Sequence, residues 1–261
     1  MFGAIYGDIV GSVYEFNNIK TKNFELFSKR SDFTDDTGMT LAVAKTLNEY
    51  STDNTEEFKE HLIDNMHLIG EKYPDLGYGG HFRMWLESKD RSAYNSYGNG
   101  SAMRVSPVGF YAKSLEEAES LAKATAEITH NHPEGIKGAV TTAGAIWVAL
   151  HGASMQDIKE YVSGFYSIDF TLDKIRPYYH FDVSCQGSVP QAFESFFEST
   201  GFEDTIRNCI SIGGDSDTIA AIAGPVAEAY YGMSEEEKEK ALSYLDSYLL
   251  KIAKNFEKKF M

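Results

Sequence analysis

The chain has 261 residues, 43% of them hydrophobic, and a formal net charge of -15. That is enough apolar material for one substantial core, so a single domain over residues 1–261 is expected. The charge excludes broad binding to nucleic acid or to an anionic membrane surface. Two cysteines, Cys185 and Cys209, and an opening MFGAIYGDIVG without a basic leader point to a reducing, cytoplasmic setting and no disulfides. The most apolar stretch, residues 138–150, is too short and too rich in threonine to span a bilayer.

Taken in chain order, residues 3–15 (GAIYGDIVGSVYE) place Gly3, Gly7 and Gly11 on one helical face at four-residue steps, and Asp8, Ser12 and Glu15 on another. Residues 33–44 (FTDDTGMTLAVA) set two acids between threonines and lead into a helix of small and apolar residues predicted over 37–49. A helix follows at 56–69, and the aromatic stretch 78–85 (YGGHFRMW) reads as packing. Residues 94–104 (YNSYGNGSAMR) form a glycine-rich loop running into a helix. Such a loop directs backbone N–H groups outward and suits a diphosphate, although Gly–Asn–Gly is also an ordinary tight turn. Helices are predicted at 115–128 and 134–150, joined by THNHP, where His130 is either a helix-end cap or a ligand contact. Another is predicted at 155–163. Residues 164–186 lack clear periodicity and read as an irregular crossing with one short helix. Helices at 191–199 and 203–211 precede SIGGDSDTIAAIAG. In the helix predicted over 215–232, Ile219, Ile222, Val226 and Tyr230 recur at helical steps, while Ala220, Ala223, Gly224 and Ala227 leave a second face nearly bare for close packing. A single amphipathic surface helix is predicted over 235–258. Strand-like alternation is scarce, so the expected fold class is all-α, a compact helical globule.

The two acidic stretches have an ordinary reading as N-caps, since Asp and Thr satisfy free N–H groups in a first turn and the helix dipole favours negative charge there. A cap, however, needs one acceptor, and each stretch supplies two carboxylates and a hydroxyl before a helix bare enough to be interior. If the ends converge, Asp35, Asp36, Asp215, Asp217 and Glu15 bring five negative charges into one pocket, which requires compensating cations. The donors are hard oxygens without Cys or His, so Mg²⁺ or Mn²⁺ is expected. Two divalent ions, about 3.5–4 Å apart across bridging aspartates, would balance the charge.

GDIVGSVYE, FTDDTGMT, SYGNGSAMR, TH followed by NHP, and SIGGDSDTIAAIAG stand in an order and spacing that resembles the ADP-ribosylglycohydrolase family, from residue 3 to about residue 232. The resemblance implies an all-α fold of orthogonal helices with a central two-magnesium centre, and hydrolysis of the bond between C1 of the distal ribose of ADP-ribose and an acceptor. It implies Thr34, Asp35, Asp36, Asp215, Asp217 and Thr218 as metal ligands, and Glu15, Asp36 and Asp215 in catalysis, with Glu15 as base, gate or ligand. It places Asn95, Ser96, Tyr97, Gly98, Asn99, Gly100, Ser101 and His130 against ADP-ribose, and leaves Arg104 open between a structural ion pair and a phosphate contact. The implied partner is an ADP-ribose-bearing protein or small molecule. Two other functions fit the same residues: a two-metal nucleotide phosphohydrolase, and a catalytically silent ADP-ribose-binding protein.

Overall fold

The computed structural model describes residues 1–261. Its helices are α1 (Phe2–Gly11), α2 (Asp35–Glu49), α3 (Thr55–Lys72), α4 (Gly80–Glu87), α5 (Gly100–Met103), α6 (Ser106–Tyr111), α7 (Leu115–Glu127) and α8 (Pro133–Leu150). They continue as α9 (Met155–Ser163), α10 (Leu172–Ile175), α11 (Cys185–Phe197), α12 (Phe202–Ser211), α13 (Ser216–Tyr231), α14 (Glu235–Leu242) and α15 (Ser247–Phe260). There is no strand, and the one extended pairing is an isolated bridge between Gly98 and Ser184. The all-α expectation therefore holds. No helix is long and apolar enough to cross a membrane.

The glycine face of α1 decides how the helices assemble. Gly3 lies against Gly224, Gly7 against Ala220 and Gly11 against Asp217, so α1 and α13 run antiparallel in one fixed register. A Cβ on Gly7 would sit 2.4 Å from the Ala220 carbonyl oxygen, and one on Gly224 would sit 2.2 Å from that of Gly3. Only hydrogen fits, and the two backbones touch. At one end of this pair the Met1 amino group and the Gly3 N–H both donate to Glu228 Oε2, at 2.6 and 2.7 Å. At the other end, the last turn of α1 meets the first turn of α13. Helix α2 packs against α1, α3, α6 and α15; α8 packs against α5, α6, α7 and α13; and α11 and α12 cover the remaining flank of α13. One continuous apolar cluster, from Met1 and Phe2 through Phe193 to Phe256, fills the space between them.

Side-chain caps fix most other helix starts: Asn54 for α3, Ser114 for α7, Ser184 for α11, and capping boxes at Ser154–Asp157 and Ser234–Glu237. Two boundaries differ from the sequence reading for this reason. Ser184 starts α11 at Cys185, six residues before the predicted 191, because Pro190 removes only one intrahelical bond and does not begin the helix. The predicted helix over 235–258 is two helices. Asp246 accepts from the N–H groups of Tyr248 and Leu249 and from the Tyr73 hydroxyl, so it starts α15 afresh after Leu245 turns into the core. The irregular crossing at 164–186 contains one short helix, α10, as expected.

The α1–α13 contact makes a stability test. Gly7→Ala is expected to destabilise the protein by about 3 kcal/mol in urea unfolding, because the added methyl forces two backbones apart. Gly80→Ala, in the first turn of α4 with no atom within 4 Å of the added carbon, is expected to lose no more than about 0.5 kcal/mol relative to the parent.

Candidate active site

Where α1, α2 and α13 converge, Asp8, Asp36 and Asp217 bring carboxylate oxygens within 4.8 Å of one another, and all three residues are buried. A second group at the same spacing joins Glu15, Asp215 and Asp217. Asp217 belongs to both. Of the carboxylate pairs expected from sequence, Asp36, Asp215, Asp217 and Glu15 thus meet, and Asp35 lines the same cavity without joining either group. The residue that sequence reasoning left out is Asp8. Its signal was the Asp8–Ser12–Glu15 stripe, whose burial only the α13 contact reveals.

The geometry separates capping from other work. At α2 the cap is Thr34, whose Oγ1 accepts from the Asp36 N–H, so Asp35 and Asp36 are not needed for it. At α13 the Asp215 side chain makes no cap hydrogen bond at all. Asp215 instead accepts from Asn99 Nδ2 at 2.7 Å. Asp8 accepts from the N–H groups of Thr34 and Thr37 and from Thr34 Oγ1, at 2.9, 3.0 and 2.7 Å. Thr218 Oγ1 donates to Asp36 Oδ2 at 3.2 Å. Yet Asp36 Oδ1 and Asp217 Oδ1 are buried with no hydrogen-bond partner. Unpaired buried carboxylate oxygens are costly, and here they point into a nest of like charge.

Burial, followed by mutual repulsion, pushes the Asp35, Asp36 and Asp217 carboxyls well above the usual carboxylate range. Burial raises Asp215 as well, against the hydrogen bond from Asn99. Asp8 is pushed up to about 6 by burial, against its hydrogen bonds from Thr34 and Thr37. Glu15 is pushed up to about 7 by burial and by the neighbouring Asp215 and Asp8. Such a cluster stays ionised at neutral pH only with cations in it. Its donor set, hard oxygens with two of them free, fits divalent Mg²⁺ or Mn²⁺.

Above the acids opens a cavity of about 430 Å³. Its floor is Glu15, Asp35, Asp36, Asp215, Asp217 and Thr218, and one wall is Ser96, Gly98, Asn99 and Gly100 from the glycine-rich loop. That loop is held by the Asn99 N–H on the Val183 carbonyl and the Cys185 N–H on the Tyr97 carbonyl. The N–H groups of Gly98 and Asn99 are therefore already bonded, which leaves fewer outward donors than the sequence implied.

Three of the residues expected against a ligand lie outside the cavity wall. Ser101 is buried and donates to the Gly135 carbonyl, Asn95 is exposed and turns the chain at φ 56, and the Tyr97 ring leans on His132 at 5.3 Å. Asn99 faces the cavity, but its amide nitrogen is engaged with Asp215 and Ser188. Thr34 lies behind the wall, its hydroxyl turned to Asp8.

His130 does line the cavity, with its Nε2 facing the loop glycines. Burial and the nearby Arg104 hold it well below the usual imidazole range, so it is neutral. Arg104 donates to the Thr125 carbonyl and to Thr129 Oγ1, and Thr129 Oγ1 lies 2.8 Å from His130 Nδ1. The Thr129 contact anchors the ring through Nδ1 and leaves Nε2 as the ring nitrogen turned to the cavity. Arg104 has no carboxylate partner, so it is not a structural ion pair; it lines the cavity, where its Nε is buried without a hydrogen-bond partner. Also missed were Gly79, Gly80, His81 and Phe82, read as packing, and Phe16 and Phe181, which stack at the mouth with centroids 5.9 Å apart. Only tertiary assembly brings these loops together.

The family model for ADP-ribosylglycohydrolase matches residues 1–258. The chain is 30% identical to the ADP-ribosylhydrolase ARH3 of Mus musculus, over 89% of this chain and 83% of the relative. It is 26% identical to the ADP-ribosyl-[dinitrogen reductase] glycohydrolase of Rhodospirillum rubrum, over 89% of this chain and 84% of that one. Among solved structures, a chain described as an ADP-ribosylglycohydrolase-related protein complex superposes with a TM-score of 0.70 at 22% identity, covering 99% of this chain and 95% of that chain, a likeness of fold.

The acid cluster sets a pH test. Folding raises these carboxyl pKa values above their ordinary 3.8 and 4.5, so protonation favours the folded state. In chelator-treated protein this contribution is complete below those values and is lost as pH rises through about 6 for Asp8 and about 7 for Glu15. The expected melting midpoint therefore falls between pH 5 and 8 (roughly the window these shifts define). Added Mg²⁺ or Mn²⁺ is expected to restore it at the upper end.

Proposed function

The chain belongs to the ADP-ribosylglycohydrolase family, and on that premise we propose that it is a divalent-metal-dependent hydrolase that removes an acceptor from C1 of the distal ribose of ADP-ribose. The observation that carries this reading is Asp217, shared between two acid groups at the floor of the cavity with one oxygen unpartnered. Asp8, Asp36 and Asp217 would hold one Mg²⁺ or Mn²⁺ and Glu15, Asp215 and Asp217 a second, with Thr34, Asp35 and Thr218 beside them. The chemistry such ions supply is polarisation of ribose hydroxyls and of a water.

The protein's own groups do the rest. Cleavage at an anomeric carbon passes through an oxocarbenium-like state, and the ionised aspartates below the ring offset its charge. Glu15 is half-buried at the edge of the cluster and lines the cavity, which suits its carboxylate to take the proton of the attacking water. Ser96, Gly98 and Gly100 border the phosphates, and the neutral His130 turns its Nε2 toward the ligand. The acceptor is a protein side chain such as arginine or serine, or a small ADP-ribosylated molecule; the excess of acid over base in the chain favours a cationic guanidinium. The helices act as one domain around one core, and the two free, buried cysteines suit the cytoplasm.

Asp217→Asn and Asp36→Ala are expected to lower release of free ADP-ribose from an ADP-ribosylated substrate by more than about a hundredfold, beyond the range for residues that only support a metal ligand. Product analysis by chromatography checks the reaction itself. Release of AMP or inorganic phosphate in place of ADP-ribose would assign the site to phosphoryl chemistry.

A further inference from the structure

Glu15 and Asp215 sit at helix margins, Glu15 beyond the end of α1 and Asp215 at the N-cap of α13. Glu15 lies in the turn after α1 ends at Gly11, and Asp215 follows Gly213 and Gly214, whose φ values are 67° and 77°. A glycine pair with positive φ has little conformational preference of its own, and the two carboxylates it helps bring together repel each other. Asp215 is held through its carbonyl by the Ile219 N–H and through its carboxylate by Asn99, but neither contact ties it to Glu15.

We propose that Asn18 is a positioning residue that sets the spacing of Glu15 and Asp215. Its Nδ2 lies 2.8, 2.9 and 2.9 Å from the carbonyls of Tyr14, Glu15 and Gly214, which share its two N–H donors, and its Oδ1 accepts the Gly214 N–H at 2.8 Å. One amide thus engages the backbone of Glu15 itself and both polar groups of the residue before Asp215, across 196 positions of sequence. Its neighbour Lys20 braces the other side of the same loop through the carbonyls of Tyr179 and Ile212. Asn18 is exposed, so this bracket rather than core packing is its evident work. The inner acids are held differently: Asp8, Asp36 and Asp217 stand on α1, α2 and α13, whose register the glycine contact fixes. Asn18 therefore acts on the Glu15–Asp215–Asp217 group and leaves the Asp8–Asp36–Asp217 group alone.

This inference rests on the two-ion reading above, and titrating chelator-stripped protein with Mn²⁺ separates the two. The wild type is expected to bind two Mn²⁺. In Asn18→Ala and in the similarly sized Asn18→Leu, one affinity is expected to fall by about tenfold or more, in the range for residues that orient a ligand. The other affinity is expected to stay within about twofold, with the melting midpoint within about 2 °C of the parent. Two unchanged affinities would overturn the assignment. So would an equal loss at both sites with a lowered midpoint, the mark of a general structural role. A wild type that binds no Mn²⁺ would remove the metal reading and this inference with it.

Discussion

The backbone contact between α1 and α13 is the constraint from which the rest follows. Because no side chain separates Gly3, Gly7 and Gly11 from the opposing helix, the pair has one register. That register delivers the end of α1 to the start of α13. Asp8 and Asp217 then face each other in the interior, and α2, packed alongside, adds Asp36. The charge is a consequence of where the helices are allowed to sit.

Helix dipoles alone do not stabilise that charge. Two helix N-termini, those of α2 and α13, point at the cluster, each contributing about 0.3–1 kcal/mol, or up to about 2 in a partly buried geometry. Burying an unpaired ion costs several kcal/mol even after relaxation, and here several carboxylates are buried together. The balance is against ionisation, as the upward shifts of Asp35, Asp36 and Asp217 record. Divalent cations would reverse it, and the unpartnered oxygens of Asp36 and Asp217 are where such ions would find free donors. The cavity above is built on another principle. Its walls come from Gly77 to Phe82, which enters α4, from Ser96 to Gly100, which enters α5, and from Phe181 to Val183, stitched together by backbone bonds such as that from Asn99 to Val183. Such walls can vary without disturbing the acids carried by α1, α2 and α13.

How much of this could be read from the residues depended on range. The helices, the glycine stripe and the doubled acids are local patterns, and they led to the meeting of Glu15, Asp36, Asp215 and Asp217; that the glycine face of α1 lies on the bare face of α13 came only from the assembled fold. Asp8 was visible in its stripe but was not singled out for the site, because its burial is set by a partner more than 200 residues away. Asp246 was hidden by the reverse problem: an acid inside an apparently continuous amphipathic pattern is a cap only if the chain bends there. Tyr97 and Ser101 carried the right motif, yet one ring turned to His132 and one hydroxyl to Gly135. Phe16 and Phe181 had no local signal, since each acquires meaning only from the other.

The central claim is that Asp217 joins two ions at the base of this cavity. Anomalous diffraction from crystals grown with Mn²⁺ measures it directly. Two peaks about 4 Å apart or closer, each within bonding distance of an Asp217 oxygen, are the expected result. Well-ordered crystals with Asp217 engaged only by protein groups, and Mn²⁺ elsewhere or absent, would contradict it.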